Sequence, residues 1–388
     1  MALFSELNRR RWRSFKRNRR AWWSLWIFSV LFIFCLCAEL VANDKPIMLS
    51  YRGQYYWPIW NTYSEQVFGG DFQTEADYRD PVVACLIRTG GNLDGCFDEA
   101  DGLTTEAPIL PDTSEGWVLW PLIAFSYDTV SYAVERAPSP PDWEYRELLE
   151  IGGVSLGLPW PTKPFHHVLG TDDQARDVMA RVIYGFRLSV LFGFSVTIVT
   201  AAIGIFAGAS QGFFGGWVDL FFQRVEEVWS SMNLLYVVLI VVSVLRPTLW
   251  VMFTVFVAFG WVTLIGVVRA EFLRARNLEY VQAARALGVG DFVIMFRHLL
   301  PNAMVATVTM LPFMLTGSIS LLAGLDFLGF GLGSSYPSLG ELALQGKQHL
   351  QDSWLALSAF FTFAIMLSLM VFIFEGVRDA FDPRKTFR

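Results

Sequence analysis

The chain is 388 residues long, 54% hydrophobic and only 17% charged, with a formal net charge of −6. So few charges over this length, with the apolar residues gathered in long runs, exclude an ordinary soluble domain. A helix needs about 20 mostly apolar residues to cross a bilayer core, and six runs approach or exceed that: 21–38, 188–209, 228–245, 248–268, 302–325 and 354–374. None holds Asp, Glu, Lys or Arg, and none shows the polar stripe of a helix packed in a soluble core. The expected fold class is an all-α polytopic membrane protein with six transmembrane helices and a large external loop region after the first.

Residues 1–20 are a basic arm: Arg9, Arg10, Arg11, Arg13, Lys16, Arg17, Arg19 and Arg20, with Glu6 the only acid. The positive-inside rule places this arm in the cytoplasm. Because it abuts an apolar run, it is read as a topology signal and not as a nucleic-acid-binding tail. The adjoining run is read as an uncleaved anchor over 21–43. Its exit, Cys35-Leu36-Cys37-Ala38-Glu39-Leu40, is a poor signal-peptidase site, and Trp22 and Trp23 suit a membrane interface.

Residues 44–186 form the external, periplasmic insertion. They hold 22 acidic and 9 basic residues, so the negative charge of the chain resides mostly here. Tyr51, Tyr55, Tyr56, Trp57 and Trp60 suggest a small packed element, and the prolines between Ala137 and Pro141 a stiff linker. Cys85 and Cys96 lie eleven apart in this segment, where an oxidising compartment allows a disulfide. A zinc site lacks ligands, since His166 and His167 are adjacent to each other and remote from both. Thr171 and Gln174 have capping-box spacing, and Asp172 and Asp173 suit the positive end of a helix dipole. An amphipathic helix opening at Thr171 and feeding the second span is therefore expected.

Residues 187–388 carry the other five runs. Arg246-Pro247 makes a tight external hairpin between the third and fourth. The connection between the fourth and fifth, 271–301, is cytoplasmic by the same charge rule: Arg274, Arg276, Arg285 and Arg297 lie in it, and Arg378, Arg384, Lys385 and Arg388 collect at the C-terminus. The glycine-rich stretch 326–340 is either a bend at the outer mouth of a pathway or a plain surface loop, and an amphipathic stretch continues from it to Leu350. Within the cytoplasmic connection, Glu279 to Leu287 are good helix formers. Gly288 and Gly290 break that helix. Asp291 can cap a second one, and Pro301 can start the next span. By composition alone this is a surface loop.

The same loop carries a resemblance. Gln282-Ala283-Ala284-Arg285-Ala286-Leu287-Gly288, followed by Leu300-Pro301, resembles the EAA loop of ABC importer permeases. Gln282 stands where that family usually has Glu, so a salt bridge is lost while a hydrogen bond remains available. The stretches 169–178, 325–333 and 376–384 are similar to permeases of the dipeptide/oligopeptide class. The segments 69–78 and 379–385 are closest to the Yej-type branch, associated with peptides and the peptide antibiotic microcin C. The resemblance implies a six-helix fold of ABC importer permease type, a coupling loop (Gln282, Ala283, Ala284, Gly288, Leu300, Pro301) that docks into an ATPase, and alternating access for a peptide substrate. It also implies a second permease subunit and a periplasmic peptide-binding protein, in the bacterial inner membrane. No nucleic acid is implied as a partner. No cofactor is expected in this chain, which lacks a phosphate-binding glycine loop; ATP and magnesium are expected on the partner ATPase, and no enzymatic activity here. Two other classes stand beside this one. An ion-coupled secondary transporter would carry acids or histidine inside its spans, which the runs as bounded lack. A membrane-anchored receptor or structural protein would need only one span.

Overall fold

The computed structural model describes residues 6–91, 116–132, 134, 136–141, 149–151, 154–156 and 167–381. The chain divides into two compact units. One comprises Met1–Phe32, Gly185–Gln348 and Ala359–Arg388; the other comprises Ile33–Tyr184 and His349–Ser358.

The first unit is helical. It opens with α1 (Glu6–Arg17) and α2 (Arg19–Leu36), the latter continuing into the other unit. It then holds α5 (Val178–Phe214), which also crosses the division, α6 (Gly216–Ser231), α7 (Leu234–Val244), α8 (Leu249–Gly260) and α9 (Val262–Ala275). Next come α10 (Glu279–Ala286), α11 (Asp291–Val293), a π-helical turn (Ile294–Leu299), α12 (Leu300–Phe327), α13 (Leu339–Gln348) and α14 (Ser353–Phe381). Among the described residues five helices are long and apolar enough to cross a membrane: Arg19–Leu36, Val178–Phe214, Leu249–Ala275, Asp291–Phe327 and Ser353–Phe381. The pair α6 and α7, bent by 70°, makes a sixth when counted as one broken span. The expected six spans are reached on that count, but the expected third run, 228–245, is not one straight helix. The chain breaks at Met232 and Asn233, and the Asn233 side chain caps α7 by accepting the Leu235 N–H at 2.9 Å.

Helix α5 packs on α9 with almost no space between backbones. A Cβ on Gly204 would lie 2.6 Å from the Trp261 carbonyl oxygen, one on Gly208 2.8 Å from that of Ile265, and one on Gly212 2.7 Å from that of Arg269. Glycines four apart share one helix face, so this is a small-xxx-small contact of the kind that brings membrane helices together. Around it Phe213, Leu264, Val268 and Phe272 form a buried core. A second core joins Phe192 and Val196 of α5 to Met252 and Phe256 of α8 and to Leu322 and Leu325 of α12.

The glycine-rich stretch after α12 is folded onto one acid. Asp326 is 2% exposed. One carboxylate oxygen accepts the Leu332 N–H at 2.6 Å and the other accepts the Ser338 hydroxyl. The sequence reading ends the fifth run at residue 325 and finds no acid inside the spans. The helix instead runs on to Phe327, because the bend itself satisfies the carboxylate.

The second unit contains α3 (Ala38–Val41), α4 (Pro81–Arg88), and an antiparallel sheet of order β2-β1-β3, where β1 is Met48–Tyr51, β2 Gln54–Tyr56 and β3 Trp117–Leu119. A separate hairpin pairs β4 (Leu149–Ile151) with β5 (Val154–Leu156). The expected aromatic element is there with a different membership. Tyr51 and Tyr56 join Tyr63 and Tyr78 around the buried Phe68 ring, whereas Tyr55, Trp57 and Trp60 are exposed.

The helix expected from Thr171 starts seven residues later, at Val178. Thr171 is therefore not its cap, and Asp172 does not lie in its first turn. Its Oδ2 binds Arg176 Nη2 and Arg181 Nη1, both at 2.7 Å, and its Oδ1 accepts the N–H groups of Gln174 and Arg176. Asp177 caps α5 instead, accepting the Ala180 N–H at 2.7 Å, while its other oxygen meets His167 Nδ1 at 2.9 Å. Beside this cluster, burial holds the Asp173 carboxyl above the usual carboxylate range, reinforced by the charge of Asp172.

Candidate coupling loop

The connection between α9 and α12 is built as a short helix on a firm base. Helix α10 starts after extended Leu278 and buries Val281 completely. Val281 joins Phe272 and Ala275 of α9 and Ile294, Met295 and Leu299 of the π turn in one core. Two longer ties fix the direction of α10. Arg285 lies over the Phe213 ring at 5.0 Å, at the end of α5, and Asn302 Nδ2 donates to Tyr280 Oη at 3.2 Å, at the start of α12.

Gly288 closes the helix. Its φ is +75°, a left-handed angle that glycine adopts without cost. The Gly288 N–H donates to the Arg285 carbonyl at 2.9 Å and the Val289 N–H to the Ala284 carbonyl at 3.1 Å. These are the two bonds of a Schellman C-cap, and Ala284 and Val289, the pair whose apolar contact accompanies it, both pack against the core. Gly290 has φ −64° and ψ 145°, so only Gly288 uses its glycine freedom.

The expected loop residues divide into two groups. Gln282, Ala283, Gly288 and Pro301 are exposed, while Ala284 and Leu300 are half-buried and packed on the core. The Gln282 amide donates to the Asn277 carbonyl at 3.2 Å, a bond within the loop. Leu287, at 83% exposure, and Phe292, at 65%, stand out on the same loop. The sequence reading passes over both. Their signal is in the sequence: Leu287 is the apolar residue directly before the αL glycine, where a C-cap turns the chain outward.

Beneath the loop, Arg269 of α9 makes a bidentate pair with Asp219 of α6, at 2.6 and 2.8 Å. Arg276 donates to the Gly212 carbonyl of α5 at 3.3 Å. These ties and the glycine stripe are absent from the sequence reading, although the four-residue spacing of Gly204, Gly208 and Gly212 was available. Among the described residues no group of three or more His, Cys, Asp or Glu is arranged to hold a metal ion. Cys85 sits buried on α4 and is disulfide-bonded; Cys96, its expected partner, lies outside the described residues.

Residues 201–387 match the family described as "Binding-protein-dependent transport system inner membrane component", and residues 7–58 match the "N-terminal TM domain of oligopeptide transport permease C". The chain is 50% identical to the Peptidoglycan transport system permease protein YejE of Agrobacterium fabrum, over 99% of this chain and 95% of that protein. It is 46% identical to the Inner membrane ABC transporter permease protein YejE of Escherichia coli, over 99% of both chains. The Oligopeptide transport system permease protein OppC of Lactococcus lactis subsp. cremoris is 30% identical over 57% of this chain and 77% of its own. With six helical spans, a C-capped helix standing out between the fourth and fifth, and similarity over its whole length, the chain belongs to the YejE-type family of inner-membrane ABC transporter permeases.

Proposed function

We propose that this chain is one of two membrane-spanning subunits through which an ATP-driven importer moves peptides inward across the bacterial inner membrane. The relatives' names support a peptide or peptidoglycan-derived substrate, and the Yej-type resemblance extends it to peptide antibiotics such as microcin C. In this reading residues 1–20 and the C-terminus are cytoplasmic, 44–186 are periplasmic, and a periplasmic binding protein delivers the substrate. The chain itself makes and breaks no bond. ATP and magnesium bind a cytoplasmic ATPase, which receives the loop 271–301 and drives the helices between outward and inward access.

The observation that carries the reading is the construction of α10. Its inner residues, Val281 and Ala284, are held by the core, while Ala283 and Leu287, four apart, are exposed. Such a helix transmits a push without deforming. An ion-coupled carrier would instead use a titratable group open to a pathway; Asp326 is buried with both oxygens engaged by its own bend.

The test is co-purification of the ATPase, together with peptide uptake, in three variants. Ala283→Asp places a charge on the presented face and is expected to abolish ATPase association while the chain stays folded. Ala284→Asp places it against the chain's own core, where an unpaired charge is costly, and is expected to make the loop protease-sensitive. Gly288→Val forces a β-branched residue to φ +75°, a strain of about 1–2 kcal/mol or more, and is expected to reduce both association and uptake. Normal association and uptake in Ala283→Asp and Gly288→Val would remove the loop from the mechanism.

A further inference from the structure

The basic arm before the first span has a shape that peptide transport does not require. Only Asn18 separates α1 from α2. In a straight helix Trp12 and Trp22 would stand about 15 Å apart along the axis. Their ring centres are 5.9 Å apart, edge to face, and Lys16 Nζ lies 5.5 Å from one ring and 5.0 Å from the other. The chain therefore turns sharply at Asn18, whose side-chain oxygen accepts the Ala21 N–H at 3.3 Å and begins α2 afresh.

Helix α1 is pinned in that attitude. Phe15 is buried against Ala21 and Ala380. A Cβ on Gly376 of α14 would meet the Phe15 ring at 2.9 Å, and the Arg11 guanidinium lies 4.4 Å above the Phe381 ring. Helix α1 is therefore packed where α2 starts and α14 ends.

The outward side of α1 is an uncompensated line of positive charge. Arg9, Arg13 and Arg17 succeed one another at four-residue spacing, with Arg10 alongside, and all four are exposed. Among the described residues no carboxylate pairs with any of them. Like charges at this spacing destabilise a helix, which an anionic surface would reverse. Trp12, 49% exposed, is a residue type that seats at the headgroup level.

We propose that α1 is an in-plane anchor whose arginine face binds the phosphate headgroups of anionic phospholipids. The charge of the partner is dictated by the charge of the face. Its identity as a lipid comes from the fold-back at Asn18 and the packing on α14, which lay that face where the headgroups are. Guanidinium groups suit phosphate because they donate two parallel hydrogen bonds to it.

The experiment uses the full-length chain, purified in mild detergent and titrated with phosphatidylglycerol or with phosphatidylcholine of the same acyl chains. Bound lipid is read by native mass spectrometry. The variant R9Q/R10Q/R13Q/R17Q keeps Arg11, Lys16, Arg19 and Arg20 to hold the orientation. Its retention of phosphatidylglycerol is expected to fall at least about fivefold, with phosphatidylcholine retention unchanged. The variant R9K/R10K/R13K/R17K is expected to keep most of the binding. Equal phosphatidylglycerol retention in the parent and the Gln variant would overturn the proposal. So would a Lys variant that binds as little as the Gln variant, which also covers a Gln variant that fails to fold. A short RNA retained by the parent and lost in the Gln variant, with lipid retention unaltered, would assign the face to nucleic acid and overturn it equally.

Discussion

Asp172 shows how one side chain decides where a helix begins. The sequence reading gives the capping box to Thr171 and Gln174 and places Asp172 in the first turn, at the positive end of the helix dipole. In the structure its carboxylate is completely buried and shared by two guanidinium groups, so no helical turn forms at Thr171, Asp177 supplies the cap, and α5 begins seven residues later than expected. No local rule foresees this, because Arg181 reaches Asp172 only after the chain has turned on itself. Removing one member of a buried charge group costs about 3–5 kcal/mol, since the remaining charges lose their counterion. Asp172→Asn is therefore expected to lower the temperature at which the unit holding residues 33–184 becomes open to protease, with the membrane helices still inserted. Asp173→Asn, at a half-buried carboxyl that burial already holds toward its neutral form, is expected to change that temperature little. Gly288 is the opposite case. Its left-handed angle is legible in the sequence because it depends only on the end of a good helix-forming run.

At the scale of elements, apolar runs located the spans but not their directions. Hydropathy is the same on both sides of a bend, which is why 228–245 reads as one helix and folds as parts of two. The length of α12 escapes the sequence for a related reason: an acid ends an apolar run on paper, whereas Asp326 is satisfied by donors six and twelve residues further on. The α5–α9 contact is implied by spacing alone, yet its tightness belongs to the packed pair. At Gly208 an added side chain would meet the Ile265 carbonyl at 2.8 Å and Val268 Cβ at 2.9 Å. Gly208→Leu is expected to cost about 1–3 kcal/mol or more by overpacking, seen as a lower thermal midpoint in detergent and a smaller yield of folded protein. Gly266→Leu is the matched control: nothing lies within 4 Å of a Cβ there, so its midpoint is expected to stay near that of the parent.

For the whole molecule, charge asymmetry gives an orientation that cysteine labelling tests directly. Tyr132 is 95% exposed and Leu287 is 83% exposed. In sealed cells a membrane-impermeant thiol reagent is expected to label Tyr132→Cys at once and Leu287→Cys only after permeabilisation. The reverse pattern would invert the topology. The same reagent, applied to denatured and unreduced protein from native membranes, is expected to leave Cys85 and Cys96 unmodified if they are bonded to each other. Modification of Cys96 under those conditions would give Cys85 a different partner.

The π turn at Ile294–Leu299 also fixes a phase. Such a turn holds one residue more than an α-helical turn, so it rotates the chain on its N-terminal side against the chain on its C-terminal side by about 100°. It ends two residues before Pro301, whose ring would otherwise collide with a carbonyl one turn back. The direction in which α10 and α11 face is thus set against α12 by a single surplus residue. Losing that residue would leave every side chain of the loop in place and aim the loop at a different part of space, much as a key cut correctly fails when its shaft is twisted.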